Sequence, residues 1–314
     1  MKFVNVIKYL QRDNVYNQEL MQKEVKGLCF DSRKCSKGFI FFAIKGYKTD
    51  GHDYIQSAVD NGVEIIFADS EYKERFSGRS FYEKIIFVKN TRQSLALCAK
   101  AFYNNPSGEL KVIGVTGTNG KTSITYMLKS VLEQSGEKCG IIGTIAYFLG
   151  EKKLKAPNTT PESLEIYKLM RDMINAGCTY CIMEVSSHAL FLNRAAGIDF
   201  DAAIFTNLSE DHLDFHKDFD DYLNAKLMLF DLLKKSQKQG KLVVINADSN
   251  VYNKVQSHVN GLGLNSTTIS IQNNSDYKVT DYHSDIKSNK FSAATPIGNR
   301  EFSLSLLGKF NVLN

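Results

Sequence analysis

The chain has 314 residues, enough for two domains and a sizeable buried core. Its 43% hydrophobic and 23% charged residues are typical of a globular protein, and a net charge of +5 without a dense Arg/Lys stripe gives no reason to expect nucleic acid as a partner. No apolar run is long enough to insert into a membrane, and residues 1–8 lack a signal-peptide core, so a cytoplasmic location is expected.

Residues 1–107 read as a small α/β domain. Short apolar strands are expected over 38–44, 63–68 and 84–88, with helices over 54–61 and 91–103. The turn cluster Asn104-Asn105-Pro106-Ser107-Gly108 is the expected boundary, with a second domain over 108–314. From residue 111 the pattern becomes strand-then-helix. Strands are expected over 111–115, 138–142, 180–184, 202–206 and 241–246, and helices over 122–134, 162–176 and 220–234. That alternation predicts a doubly wound, mostly parallel sheet whose ligands lie beyond the carboxyl ends of its strands. After residue 249 the alternation in Phe302-Ser303-Leu304-Ser305-Leu306 suggests a small antiparallel region. The six cysteines, Cys29, Cys35, Cys98, Cys139, Cys178 and Cys181, are expected as reduced thiols. Cys178 and Cys181 have redox or metal spacing but run straight into an apolar strand, and they read as ordinary strand-entry residues.

The most informative stretch is Thr116-Gly117-Thr118-Asn119-Gly120-Lys121-Thr122, set between an apolar strand and a helix. Glycines let backbone amides approach phosphate oxygens, and the helix N-terminus adds free donors and a favourable dipole. Lys121 would reach the β- and γ-phosphates and the Thr122 hydroxyl would meet Mg²⁺, so ATP binding is expected. The spacing departs from the common phosphate loop, because Val115 stands where that pattern has its first glycine.

Further polar clusters fall at strand ends. Glu184, in Met183-Glu184-Val185-Ser186-Ser187-His188, is a carboxylate at the end of a buried strand, either a cap for the next helix or a partner for Mg²⁺. His212 and His216 lie among Glu210, Asp211, Asp214 and Asp218; His212 is the better metal ligand and His216 is equally site or surface. Thr160 with Pro161 reads as a helix N-cap, or as part of a seat for phosphate or sugar. Lys226, from composition alone, is a solvated helix lysine.

Together these segments resemble the tripeptide-forming branch of the Mur ligase family. The match runs through 116–122, 158–160, 184–188, Arg194, 206–214, Lys226, 246–248 and 308–312, with Asp31-Ser32-Arg33 and 46–51 in the front half. The resemblance implies an N-terminal UDP-binding domain and a central ATPase domain, and the family's C-terminal amino-acid-binding domain is expected to be absent. It implies ATP and Mg²⁺ as cofactors, and UDP-N-acetylmuramoyl-dipeptide and a diamino acid, meso-diaminopimelate or L-lysine, as substrates. The expected activity is amide ligation through an acyl phosphate, with a binding-only relative or another Mur-type ligase as the alternatives. By the same resemblance Gly117, Thr118, Asn119, Gly120, Lys121 and Thr122 hold ATP phosphates, and Asn311 contacts adenine or ribose. Thr122 and Glu184 ligate one Mg²⁺. His212 and Lys226, the latter carbamoylated by CO₂, belong to a second. Thr159, Thr160, Ser186 and Arg194 contact the UDP-muramoyl-dipeptide, and Ser32, Tyr47, Lys48 and Thr49 contact UDP.

Overall fold

The computed structural model describes residues 1–10, 18–47, 49–211 and 214–314. The expected ligand residues His212 and Lys48 therefore lie outside the described residues. The chain forms two compact units. The first comprises Met1–Pro106 with Glu162–Lys168 and Leu192–Gly197; the second comprises Ser107–Pro161, Leu169–Phe191 and Ile198–Asn314.

In the first unit, strands β1 (Gly27–Cys29), β2 (Phe39–Phe42), β3 (Ile65–Asp69) and β4 (Ile85–Val88) pair in that order, all parallel. Parallel strands buried on both faces read as continuous apolar runs, and Ile40, Phe41, Phe42, Ile66 and Phe67 are fully buried here. The Phe42 and Phe67 rings stack at 4.8 Å. Each such side chain contributes about 1.5–3 kcal/mol on burial. The helix Thr91–Phe102 starts at Asn90, whose side chain accepts from Gln93 N at 2.9 Å. His52 ties the following loops together. Its Nε2 accepts the Asp69 amide at 3.0 Å, which places the ring proton on Nδ1, donated to Asp50 Oδ1 at 2.6 Å.

Cys29 and Cys35 are joined by a disulfide with Cα atoms 5.8 Å apart, which corrects the expectation of six free thiols. The turn Ser32–Lys34 folds the chain back on β1 and brings the two together. Cys178 and Cys181 are buried free thiols, and burial raises both above the ordinary thiol range.

Among the described residues of the second unit, eleven strands form one sheet. Its parallel centre is β12 (Asn265–Ser270), β11 (Leu242–Asn246), β10 (Ala202–Phe205), β5 (Lys111–Thr116), β9 (Tyr180–Glu184) and β6 (Cys139–Ile142), in that spatial order. The hairpin β7 (Ala146–Leu149) and β8 (Lys152–Lys155) adds antiparallel strands beyond β6. At the other edge, β13 (Tyr277–Ser284) pairs parallel with β12, and β14 (Asn289–Thr295) and β15 (Gly298–Leu304) continue it antiparallel. The α/β fold with a mostly parallel sheet is thus as expected. The hairpin β7–β8 and strand β12 were not anticipated: Lys152-Lys153-Leu154-Lys155 and Asn265-Ser266-Thr267-Thr268 lack an apolar pattern, and Ala146-Tyr147-Phe148-Leu149, though apolar, is a short run.

Strand β5 lies between β9 and β10, with Val115 opposite both Glu184 and Ile204. The connection from β5 leads toward β6 and that from β10 toward β11, in opposite directions along the sheet, and such a switch point is where a crevice is expected beyond the carboxyl ends. The helices Lys121–Gln134 and Phe219–Lys235 each bury one apolar stripe. Among the described residues, no helix is long and apolar enough to cross a membrane.

Candidate functional site

The phosphate loop leaves β5 at Thr116 and enters the helix at Lys121. Gly117 has φ 139°, and a Cβ there would sit 2.0 Å from Thr206 Oγ1. Gly120, the N-cap, has φ 91° and no side-chain cap bond. The first helical bond runs from Ile124 N to Gly120 O, so the amides before it face forward without intrahelical acceptors. The end of β10 pins the loop. Thr118 N donates to Asn207 O at 2.9 Å, Asn119 N donates to Asn207 Oδ1 at 3.0 Å, and Thr206 Oγ1 donates to Asn119 O at 2.6 Å. Such an arrangement of forward-facing amides is one that can seat an anion. Replacing Gly117 by alanine is expected to lower the thermal unfolding midpoint, since a positive-φ position and an overlap with the Thr206 hydroxyl together cost a few kcal/mol; an unchanged melt would refute the strain.

Lys121 Nζ donates to Gly117 O at 2.9 Å and Thr118 O at 2.8 Å. Burial lowers its pKa from the ordinary lysine value, opposed by the charges of Glu184 and Asp211. Lys226 is 1% exposed, which corrects its reading as a solvated helix lysine. Its Nζ donates to the same Gly117 carbonyl at 2.9 Å and lies 4.2 Å from the Tyr222 ring centre. Burial, then the like charge of Lys121, pushes Lys226 down to about 6, with Asp211 opposing. Its amine is therefore largely neutral and nucleophilic near pH 7.

Glu184 is 1% exposed at the end of β9. Its Oε2 accepts from Thr122 Oγ1 at 2.9 Å and Thr144 Oγ1 at 3.0 Å, and its Oε1 accepts from Thr144 N at 2.9 Å. Among the described residues no ion pair reaches it. A buried carboxylate that receives only hydroxyl and amide hydrogens, beside a threonine at the end of a phosphate loop, is an all-oxygen donor set suited to a hard cation such as Mg²⁺. No cluster of three or more His, Cys, Asp or Glu occurs among the described residues. The expected metal set instead combines a hydroxyl, one carboxylate and a lysine with His212.

Thr160 is not a helix cap, contrary to one expectation. The helix runs Ser163–Asn175, and Thr160 Oγ1 donates to Glu184 O at 2.8 Å while accepting the Ser186 amide at 3.1 Å. Thr159 Oγ1 lies 3.0 Å from Thr144 Oγ1. Thr159, Thr160 and Ser186 therefore gather around the Glu184 strand end. His216 is buried at 2% and so is not a surface residue. Its Nε2 is 3.0 Å from Ser187 Oγ and its Nδ1 is 3.3 Å from Asp221 Oδ2. Asp218 caps the helix Phe219–Lys235 through Asp221 N.

A cavity of about 520 Å³ adjoins the loop, lined by Asn119, Gly120, Ile204, Asn246, Phe310 and Asn314 among others. Asn311 is not in this lining. It is 8% exposed, and its amide donates to Leu307 O and accepts from Asn314 Nδ2 at 3.1 Å. Of Asn311 and Asn314, it is Asn314, which sequence reasoning missed, that lines the cavity.

The first unit carries its own cavity of about 580 Å³, lined by Asp31, Ser32, Thr49, Tyr54, Arg92 and Glu162 among others. Tyr47 is 76% exposed and does not line it. Glu162 Oε1 accepts from Arg92 Nη1 at 2.6 Å and from Arg194 Nε at 2.9 Å, which places Arg194 beside this wall. Arg92 and Glu162 carried no motif signal.

A glycine turn on a mostly parallel sheet, with a buried carboxylate at the neighbouring strand end and a buried helix lysine beneath the turn, places the chain among α/β proteins of the phosphate-loop class. The chain belongs to the Mur ligase family: residues 115–314 match the Mur ligase middle domain, and residues 24–103 match the Mur ligase family catalytic domain. A UDP-N-acetylmuramoyl-L-alanyl-D-glutamate--2,6-diaminopimelate ligase from Clostridium tetani is 42% identical over 316 residues, covering 100% of this chain and 62% of the relative. A solved structure of a ligase with the same description superposes with a TM-score of 0.82 at 25% identity, covering 100% of this chain and 61% of that one. The Thermotoga maritima MurF ligase in complex with ADP shares the fold, with a TM-score of 0.55 at 18% identity over 93% of this chain and 60% of that one. The chain thus spans less than two thirds of the length of the relatives it matches.

Proposed function

We propose that this chain carries the nucleotide and UDP-precursor sites of a cytoplasmic ATP-dependent amide ligase of peptidoglycan synthesis. Its reaction joins 2,6-diaminopimelate to the D-glutamyl carboxylate of UDP-N-acetylmuramoyl-L-Ala-D-Glu. The observation that carries this reading is the convergence of Glu184 and the buried Lys226 on one phosphate loop, in a chain 42% identical to a ligase of that name.

In this reading the loop amides and Lys121 hold the β- and γ-phosphates, and adenine lies against Asn314 and Phe310. Thr122 and Glu184 would hold one Mg²⁺, and His212 with carbamoylated Lys226 a second. Bound magnesium supplies positive charge where the substrate carboxylate meets the γ-phosphate. The protein orients the two anions in line, and positioning and electrostatics provide most of the rate. Lys121 leaves its two carbonyl acceptors for phosphate oxygens, a stronger, charge-assisted pairing. Thr159, Thr160 and Ser186, grouped at the Glu184 strand end, would seat the dipeptide carboxylate. Attack on the γ-phosphate gives an acyl phosphate, and the amine displaces phosphate to form the amide.

The test is release of ADP and phosphate on adding UDP-N-acetylmuramoyl-L-Ala-D-Glu and 2,6-diaminopimelate, with L-lysine as the competing amine. Turnover with diaminopimelate and not lysine is expected; nucleotide binding without turnover in the full-length gene product would sink the reading. The first-unit cavity, in the same reading, takes the uridine diphosphate end. Ser32→Ala removes a hydroxyl from its wall and is expected to weaken UDP binding about fivefold, the worth of one hydrogen bond. Calorimetry should show the affinity for an ATP analogue unchanged, and equal UDP affinity would count against that assignment.

A further inference from the structure

Thr144 lies two residues past the end of β6, at the carboxyl edge of the sheet, and no motif points to it. It makes two hydrogen bonds to one buried carboxylate: its amide to Glu184 Oε1 at 2.9 Å and its hydroxyl to Glu184 Oε2 at 3.0 Å. Gly143 lets the turn come this close, since a Cβ there would lie 2.4 Å from Glu184 Oε1. A hydroxyl has a single proton. The Thr144 proton goes to the carboxylate, which can only accept, so across the 3.0 Å contact Thr159 Oγ1 is the donor and Thr144 Oγ1 the acceptor. The result is a directional chain from Thr159 through Thr144 to Glu184. Its far end lies in the 158–160 segment and its near end on the carboxylate facing Thr122.

We infer that Thr144 is a positioning residue that fixes the rotamer of Glu184 for a divalent cation and couples it to the Thr159 segment. This rests on the metal role proposed above for Glu184. Groups that orient a ligating carboxylate are worth about 10–100-fold in metal affinity. The coupling is reciprocal: whatever orders Thr159 tightens the cation site, and the cation orders Thr159.

The experiment measures the affinity of the chain for AMP-PNP with Mg²⁺ and with EDTA. The Mg²⁺-dependent gain in affinity is the readout. Thr144→Val keeps shape and amide but loses the hydroxyl; the gain is expected to fall about tenfold, with the EDTA affinity unchanged. Thr144→Ser restores the hydroxyl and is expected to restore the gain. Thr159→Val removes only the outer donor and is expected to cost about fivefold. A Thr144→Val protein with the wild-type gain overturns the inference, as does a Thr144→Ser protein as impaired as Thr144→Val. A wild-type chain that binds AMP-PNP equally with Mg²⁺ and EDTA instead overturns the metal reading, and the positioning role falls with it.

Discussion

Lys226→Ala is expected to abolish ligation by the full-length gene product while leaving ATP-analogue affinity within about twofold. The side chain is buried beneath the phosphate loop, 2.9 Å from Gly117 O, and its pKa is pushed down to about 6. A protonated amine here would face Lys121 and repel a nearby cation. A neutral amine can add CO₂, losing a proton and becoming a carbamate with two anionic oxygens, which suits a hard cation. Removing that anion takes away transition-state stabilisation worth about 10²–10³-fold. Lys226→Glu, or added short carboxylates with Lys226→Ala, should restore part of the rate. The pH sign follows from the depressed value. Activation by bicarbonate should be present above about pH 6 and lost as pH falls through it, because protonation removes the nucleophile. The unfolded lysine holds its proton up to about 10.5 and the native amine only below about 6, so in CO₂-free buffer the Lys226 contribution destabilises the fold least at high pH. Wild-type turnover by Lys226→Ala would end the carbamate reading.

Lys121→Ala is expected to weaken ATP-analogue binding about 10–100-fold, the range for losing a charge-assisted contact, and turnover by about 10²–10³-fold. In this structure Lys121 is held by Gly117 O and Thr118 O, which keep its ammonium at the mouth of the loop. The expected split is larger in kcat than in affinity, because charge on the γ-phosphate grows as it is transferred. Titration with a non-hydrolysable analogue and steady-state kinetics of the full-length gene product measure the two terms. Unchanged values in both would remove the loop from the reaction.

The strand–glycine turn–helix at 111–134 was legible because its determinants are local: an apolar strand, two glycines needing positive φ and a helix start. Lys226 was misjudged on composition, yet a second signal was present. Tyr222, Ala225, Leu229, Phe230 and Leu233 are buried on the same helix, and Lys226 falls within their stripe at the i, i+4 spacing. Thr144, Arg92 and Glu162 were not legible, since each acts through partners 40 to 70 residues away. The shift from Asn311 to Asn314 has the same origin. The motif marks a short helix, but only packing decides which of its asparagines turns toward the cavity. The β7–β8 hairpin escaped notice because exposed lysines decorate a strand held by backbone pairing.

Strand β5 is completed from both sides by segments synthesised long after it. The Asn119 amide waits for Asn207, 88 positions later, and the Thr122 hydroxyl for Glu184, 62 positions later. Loop closure over such spans is slow relative to local helix formation. The emerging polypeptide thus displays its glycine turn well before it has a nucleotide seat. In the proposed reading, affinity for a nucleotide follows the docking of β10, and a ribosome-arrested chain ending before Asn207 is expected to lack it.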